Sequence, residues 1–284
     1  MFNLIDVGIN LTNETFDEDR EQVIAAAEAA GITRFIVTGT SVIDSSRAVE
    51  FTHTYPGKVF CTVGVHPHHA TEFDQYSVGA LRNLLANPTV VAIGECGLDF
   101  FRNLSSPEKQ KSAFNSQLRL AQETGKPVFL HQRNAFDTFL PMVEKMRSGL
   151  SGGVAHCFTG DVQELKQLLA LDLYIGITGW LCDERRGENL RQAVRKLPLD
   201  RVLIETDAPY LIPRDLQQKP SSHRNEPRFL LHILKRLAKE TVHPIEVLAH
   251  SATHNAELLF GLTPTKRDGA GVNGRDGDEA KKKN

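Results

Sequence analysis

Paired cysteine spacings are missing from this 284-residue chain. Its four cysteines (Cys61, Cys96, Cys157 and Cys182) are scattered, and no Cys-x-x-Cys unit occurs. Three of them lie inside or at the end of apolar runs, where a free thiol packs as a small core side chain. Such a chain suits a reducing compartment, most simply the cytoplasm. Long hydrophobic stretches are missing as well. No segment approaches the roughly 20 apolar residues of a membrane span, and Asp6 interrupts the opening apolar run, so no secretory leader is expected. Excess charge is also absent: the net charge of −2 argues against a protein that coats nucleic acid with a basic surface, though not against an enzyme with a locally basic mouth. The first turns lack both Gly-x-Gly-x-x-Gly and Gly-Lys-Ser/Thr, which makes a dinucleotide-binding sheet the weaker choice.

What is present is one pattern, repeated. Val90-Val-Ala-Ile runs into Gly94 and ends on Glu95; Val59–Val65 ends on His66, Val128-Phe-Leu on His131, Gly153-Val-Ala on His156, and Val202-Leu-Ile leads through Glu205 to Asp207. A short apolar run bounded by glycines reads as a strand buried on both faces, as in a parallel sheet. Between these runs lie helical stretches near 18–30, 78–86, 107–124, 135–147, 162–171 and 188–195, with Gly31 and Gly125 in stop positions. Strands at 2–9, 34–39 and 173–179 complete about eight strand–helix units, and helices at 227–240 and 244–260 close the series. With an apolar fraction of 40% the chain can bury a sizeable core. The spacing predicts a single (β/α)8 TIM barrel over 1–262. From 263 to 284 the composition turns to Gly, Asp, Lys and Arg, which predicts a disordered polar tail.

In a parallel barrel all strand carboxyl ends face one rim, so His66, Glu95, His131, His156 and Asp207 are expected to converge. Imidazoles and carboxylates together make a shell for a divalent cation. One strand-end histidine is more often a core or surface residue; it is the recurrence on five separate strands that argues for a site. Glu205 alternates with Asp207 and is expected to support it or add a further rim acid. Cys96 and Cys157 follow Glu95 and His156 directly, so alternation is expected to turn both towards the helices, away from the cation. On the rim loops, Trp180 stands near Arg185 and Arg186, and Arg102, Arg133, Arg214 and Arg224 add cations. Arginines match phosphate oxygens and an aromatic ring can stack an unpaired base. The same residues also read as a core tryptophan with arginines paired to Asp183, Glu184 and Asp215, and Asn225 as a helix cap. His68, Arg133, Trp180, Arg186 and Arg224 are the candidate substrate contacts.

Taken together, Gly64-Val-His-Pro-His68, Ala92–Asp99, Val128-Phe-Leu-His131, His156-Cys-Phe-Thr-Gly160, Tyr174–Trp180, Ile204–Tyr210 and Asn225-Glu-Pro227 resemble the TatD family of metal-dependent nucleases. The likeness runs from about Ile5 to Gly261. It implies an amidohydrolase-type barrel that hydrolyses phosphodiester bonds with a divalent ion, commonly Mg2+, with Mn2+ possible. It further implies 3′-to-5′ exonuclease action on single-stranded DNA and RNA, and a part in repairing oxidative DNA damage. Carried over, Glu95, His131 and His156 are metal ligands, Asp207 is both ligand and general base, and His66 contacts metal or scissile phosphate. A monomer that binds no membrane is expected. One departure stands out: many relatives open with His-x-His, and this chain has Asp6-Val-Gly8-Ile-Asn10 there. That puts a tightly held second ion in doubt and leaves the parts played by Asp6 and Asn10 open. Two rivals remain: a same-fold hydrolase of C–N or ester bonds, including an aminoacyl-tRNA deacylase, and a non-catalytic partner-binding protein.

Overall fold

A computed structural model describes residues 2–218, 220 and 222–264, so the tail expected from Thr263 lies outside the described residues beyond Pro264. Eight parallel strands form one sheet in chain order. They are β1 (Leu4–Ile9), β2 (Ile32–Val37), β3 (Val59–Val63), β4 (Val90–Asp99), β5 (Val128–Arg133), β6 (Gly153–Ala155), β7 (Tyr174–Ile177) and β8 (Val202–Ile204). The helices are α1 (Arg20–Ala29), α2 (Val42–Thr52), α3 (Gln75–Leu84), α4 (Pro107–Thr124), α5 (Phe136–Met146), α6 (Val162–Ala170), α7 (Glu188–Val194), α8 (Leu230–Thr241) and α9 (Ile245–Phe260). This is the expected (β/α)8 barrel. Its seam is not a full ladder. β8 meets β1 through Asp207 N–H donating to Gly8 O at 2.8 Å and Asn10 N–H donating to Ala208 O at 2.8 Å.

Alternation along the strands sorts the core into two layers. Ile5, Val7, Ile36, Phe129, Val154 and Leu203 fill the interior, and Ala256 and Phe260 of α9 join them from below. Phe129 is fully buried, with its ring centroid 4.7 Å from that of His156. The apolar filling therefore reaches up to the polar mouth. Truncating such a phenylalanine to alanine costs about 3–5 kcal/mol.

α4 links the scaffold to the site. Ser106 caps its start, Pro107 occupies its first turn, and Gly125 ends it in the left-handed conformation (φ 66°). Two fully buried glutamines on its inner face satisfy backbone groups where strand ladders run out. Gln117 accepts from Val65 N–H at 2.7 Å and donates to Val65 O at 3.0 Å. Gln110 accepts from Asp99 N–H at 2.8 Å and donates to Asp99 O at 3.1 Å. The ends of β3 and β4 are thus held by side chains, which is how a buried, unpaired peptide avoids its desolvation cost.

Candidate active site at the strand carboxyl ends

β4 was expected to end on Glu95, but it continues to Asp99 with all ten residues buried. Glu95 escapes the wall of the barrel because the β4–β5 register shifts between Ile93 and Cys96. Gly94 (φ 143°) and Gly97 (φ 150°) make that shift. A Cβ at Gly94 would lie 2.2 Å from Phe129 O, and one at Gly97 would lie 1.8 Å from His131 O. Only glycine fits either position. An irregularity beside a site commonly re-aims a side chain, and here it points a carboxylate into the mouth.

Three imidazoles surround that carboxylate. Glu95 Oε1 lies 2.7 Å from His131 Nδ1, 3.4 Å from His66 Nε2 and 3.6 Å from His156 Nε2. Burial alone would raise the Glu95 pKa, but His66 and His156 outweigh it and hold the carboxyl well below its usual range. Burial pushes His66 down to about 4, which keeps it neutral. At His156 burial works downward too, but Glu205 and Glu95 prevail and carry it up to about 10. Asp207, at the start of the loop after β8, is pushed up to about 7 by burial, with Glu95 and Glu205 adding repulsion. Asn10 Nδ2 donates to Asp207 Oδ1 at 3.3 Å, and Asn10 Oδ1 accepts from the Thr38 hydroxyl at 2.6 Å.

These donors suit a divalent cation. Ligand atoms of His66, Glu95 and His131 lie within 4.8 Å of one another, as do those of His156, Cys157 and Asp207. His131 Nε2 is buried without a hydrogen-bond partner among the described residues. A buried nitrogen left unpaired is costly, and a bound ion beside it would relieve that cost. Carboxylates crowded with imidazoles are the donor set that divalent ions select.

Glu205 supports this group from beneath. His156 Nδ1 is 2.6 Å from Glu205 Oε2, and Cys157 N–H donates to Glu205 Oε1 at 2.5 Å. Two glycines make room for it. A Cβ at Gly8 would lie 2.4 Å from Glu205 Oε2, and a Cβ at Gly176 would lie 2.3 Å from Glu205 Oε1. The space above Gly8 on the first strand is therefore taken by the carboxylate that orients His156.

Cys157 departs from expectation. Cys96 is buried in the outer core, but Cys157 lines the cleft. β6 stops at Ala155, and Cys157 adopts φ 47°, so strand alternation no longer governs its side chain. Asp99 is a residue that the sequence reading passed over. It is almost fully buried, receives His68 Nε2 at 2.8 Å, and accepts from Phe101 N–H and Arg102 N–H at 2.9 and 2.7 Å. Its position at the end of β4, facing the strand-end histidines, was the available signal.

The site opens into a cleft of about 1160 Å3 that includes His68, Arg102, Arg133, Trp180 and Tyr210 in its lining. Arg133 stacks on the Phe101 ring at 4.0 Å. Trp180 is half-buried against the core, with the Arg186 guanidinium over its ring at 4.6 Å. Arg185, Arg186 and Arg214 all lie near Asp183. Arg224 is not brought to the cleft: it pairs with Asp19 and Glu226 and covers Phe16. Nor is the mouth basic. Glu14, Asp17, Asp44 and Glu50 line it beside the central acids, and Arg20 and Arg47 are paired with Asp17 and Asp44. The segment after β1 supplies Glu14 and Asp17, and helix α2 supplies Asp44 and Glu50.

The sequence profile of a family described as TatD related DNase matches residues 5–261. A protein described as 3′-5′ ssDNA/RNA exonuclease TatD from Erwinia billingiae (strain Eb661) is 49% identical over 259 residues, 91% of this chain and 99% of the relative. One of the same description from Edwardsiella piscicida is also 49% identical, over 91% of this chain and all of the relative. Among solved structures, YJJV, a TatD homolog from Escherichia coli k12, superposes with a TM-score of 0.85 at 27% identity, covering 92% of this chain and 99% of its own.

Proposed function

Since the chain belongs to the TatD related DNase family, we propose that it is a metal-dependent 3′-to-5′ exonuclease that hydrolyses phosphodiester bonds of single-stranded DNA and RNA. The observation that carries this reading is the single Glu95 oxygen surrounded by His66, His131 and His156, with Asp207 beside them at the base of an open cleft. Glu95, His131, His156 and Asp207 would hold the cation, which we assign as Mg2+ with Mn2+ as its substitute. When bound it supplies polarisation of a phosphoryl oxygen and offsets the charge that builds there.

The chain's own groups do the rest. Asp207 in its carboxylate form takes the proton of the attacking water as the new P–O bond forms and the old one breaks. His66, kept neutral by burial, faces the scissile phosphate without adding a fixed charge. Glu205 holds the His156 ring in one orientation. Asp99 does the same for His68, a candidate phosphate contact. Trp180 offers a face for an unpaired base, with the Arg186 guanidinium over its ring, and Arg133 offers a donor elsewhere on the cleft lining. The protein is taken as a monomer acting in the cytoplasm. Free thiols at Cys61, Cys96, Cys157 and Cys182 support a reducing compartment, and no helix of the described residues is long and apolar enough to cross a membrane.

The test is digestion of single-stranded DNA labelled at either end, with Mg2+, with chelator, and with the variants Glu95→Ala and Asp207→Asn. Shortening from the 3′ end that needs Mg2+ and is abolished in both variants, with circular dichroism unchanged, is the expected result. Cleavage that persists in both variants would remove this mechanism.

A further inference from the structure

A second set of cation-binding side chains sits behind the mouth and takes no part in the chemistry above. Cys182 ends the turn Gly179–Cys182 that carries Trp180. Asp215 lies in the segment after β8, and His232 lies in the first turn of α8. One ligand atom from each lies within 4.8 Å of the other two. Asp215 Oδ1 is 2.6 Å from His232 Nε2, and Asp215 Oδ2 accepts from Arg236 Nη1 at 3.0 Å. Arg236 is itself fixed, its Nε donating to Glu240 Oε1 at 3.0 Å.

The plainer account is a small core thiol beside an ion pair. It fits poorly, because Cys182 is fully buried yet faces a carboxylate and an imidazole rather than apolar atoms alone. We propose that Cys182, Asp215 and His232 form a site for a zinc-class divalent cation, distinct from the catalytic centre, that ties the Trp180 turn to α8. A thiolate, an imidazole and a carboxylate are a common three-residue zinc set, with a fourth position left for water. The thiolate selects zinc-class ions over Mg2+. Arg236 holds the second oxygen of Asp215 in the manner of an outer partner that orients a ligand. On binding, the Cys182 thiol loses its proton to solvent. The His232 ring would carry its proton on Nδ1, or release it to solvent, so that the Nε2 lone pair is free for the ion in place of its contact with Asp215. The half-buried His232 marks the way in from solvent.

The experiment uses the full chain carrying Cys157→Ser, so that the thiol lining the catalytic cleft is removed. Titration with Co2+ should give a thiolate-to-metal charge-transfer band that saturates at one equivalent and disappears when Cys182→Ser is added. Zn2+ affinity should fall by about 10- to 100-fold in Arg236→Met and at least as far in His232→Ala. A band that survives Cys182→Ser overturns the proposal, as does the absence of any thiolate band in the Cys157→Ser protein. Should Cys182→Ser fail to fold, His232→Ala decides the matter at a half-buried position: unchanged Zn2+ affinity there also overturns it.

Discussion

Two flanks of the same mouth are built from different chemistry. On the β4–β6 flank, Glu95 stands among His131, His156 and His66. On the β8–β1 flank stand Asp6, Asn10, Thr206 and Asp207, with no imidazole from either strand. The first flank gathers buried imidazole nitrogens around one carboxylate. The second gives its interior space to support: Gly8 leaves the slot in which Glu205 orients His156, and Asn10 fixes Asp207. A histidine at position 8 would collide with Glu205. The first strand thus leaves room for a carboxylate that serves the opposite flank and offers no imidazole of its own. From that arrangement we expect one hard cation at the catalytic centre.

The comparison is broken most completely at Gly94. An alanine there meets Phe129 O at 2.2 Å in a backbone conformation (φ 143°) that side chains disfavour. Gly94→Ala should lower stability by about 3 kcal/mol or more, read from urea midpoints. A shift near zero would mean that β4 can deliver Glu95 without its kink. Next comes the link between the flanks. Glu205→Gln puts an amide group where a carboxylate meets His156 Nδ1 and Cys157 N–H, and should reduce nuclease activity and Mn2+ affinity by about 10- to 100-fold. Gly8→Ala should act in the same direction by displacing Glu205. If Gly8→Ala leaves activity whole while Glu205→Gln removes it, the slot is not what positions the carboxylate.

What the chain discloses by itself divides along the same lines. Continuous apolar runs ending on His131, His156 and Asp207 disclosed both the barrel and the convergence of those side chains, because parallel strands share one direction. Asp99 escaped notice because a single sequence does not separate a buried acid at a strand end from a solvated one. Its partner, His68, is supplied by a different loop. Cys157 was misplaced because alternation holds only while a strand lasts, and β6 ends two residues earlier. Arg224 was expected at the mouth, yet its partner Asp19 is 205 positions away in the chain, a pairing that no local pattern announces.

Asp99 offers a smaller test within the β4–β6 flank. Asp99→Asn keeps the size of the side chain and its acceptor for the backbone of Phe101 and Arg102, but removes the charge facing His68 and His131. Loss of that orientation should reduce activity about tenfold, read as kcat/KM on labelled single-stranded DNA. Full activity would leave Asp99 a purely structural cap.

The gentlest probe falls on the β8–β1 flank. Asp6 is fully buried and accepts from Thr206 N–H at 2.9 Å and from the Thr206 hydroxyl. Burial pushes its pKa from 3.8 up to about 8, because those hydrogen bonds recover only part of the lost hydration. Between these two values the folded chain retains a proton that the unfolded chain has released. Stability must therefore fall as pH rises from about 4 towards 8, and level off above that. Asp6→Asn has no proton to lose at this position. It should match the natural chain near pH 5 within about 1 kcal/mol and lose less on moving to pH 8, as read from urea midpoints at both. Parallel pH profiles for the two proteins would mean that Asp6 is already ionised in the fold. The seam between β8 and β1 would then be held by a charge rather than by a neutral acid.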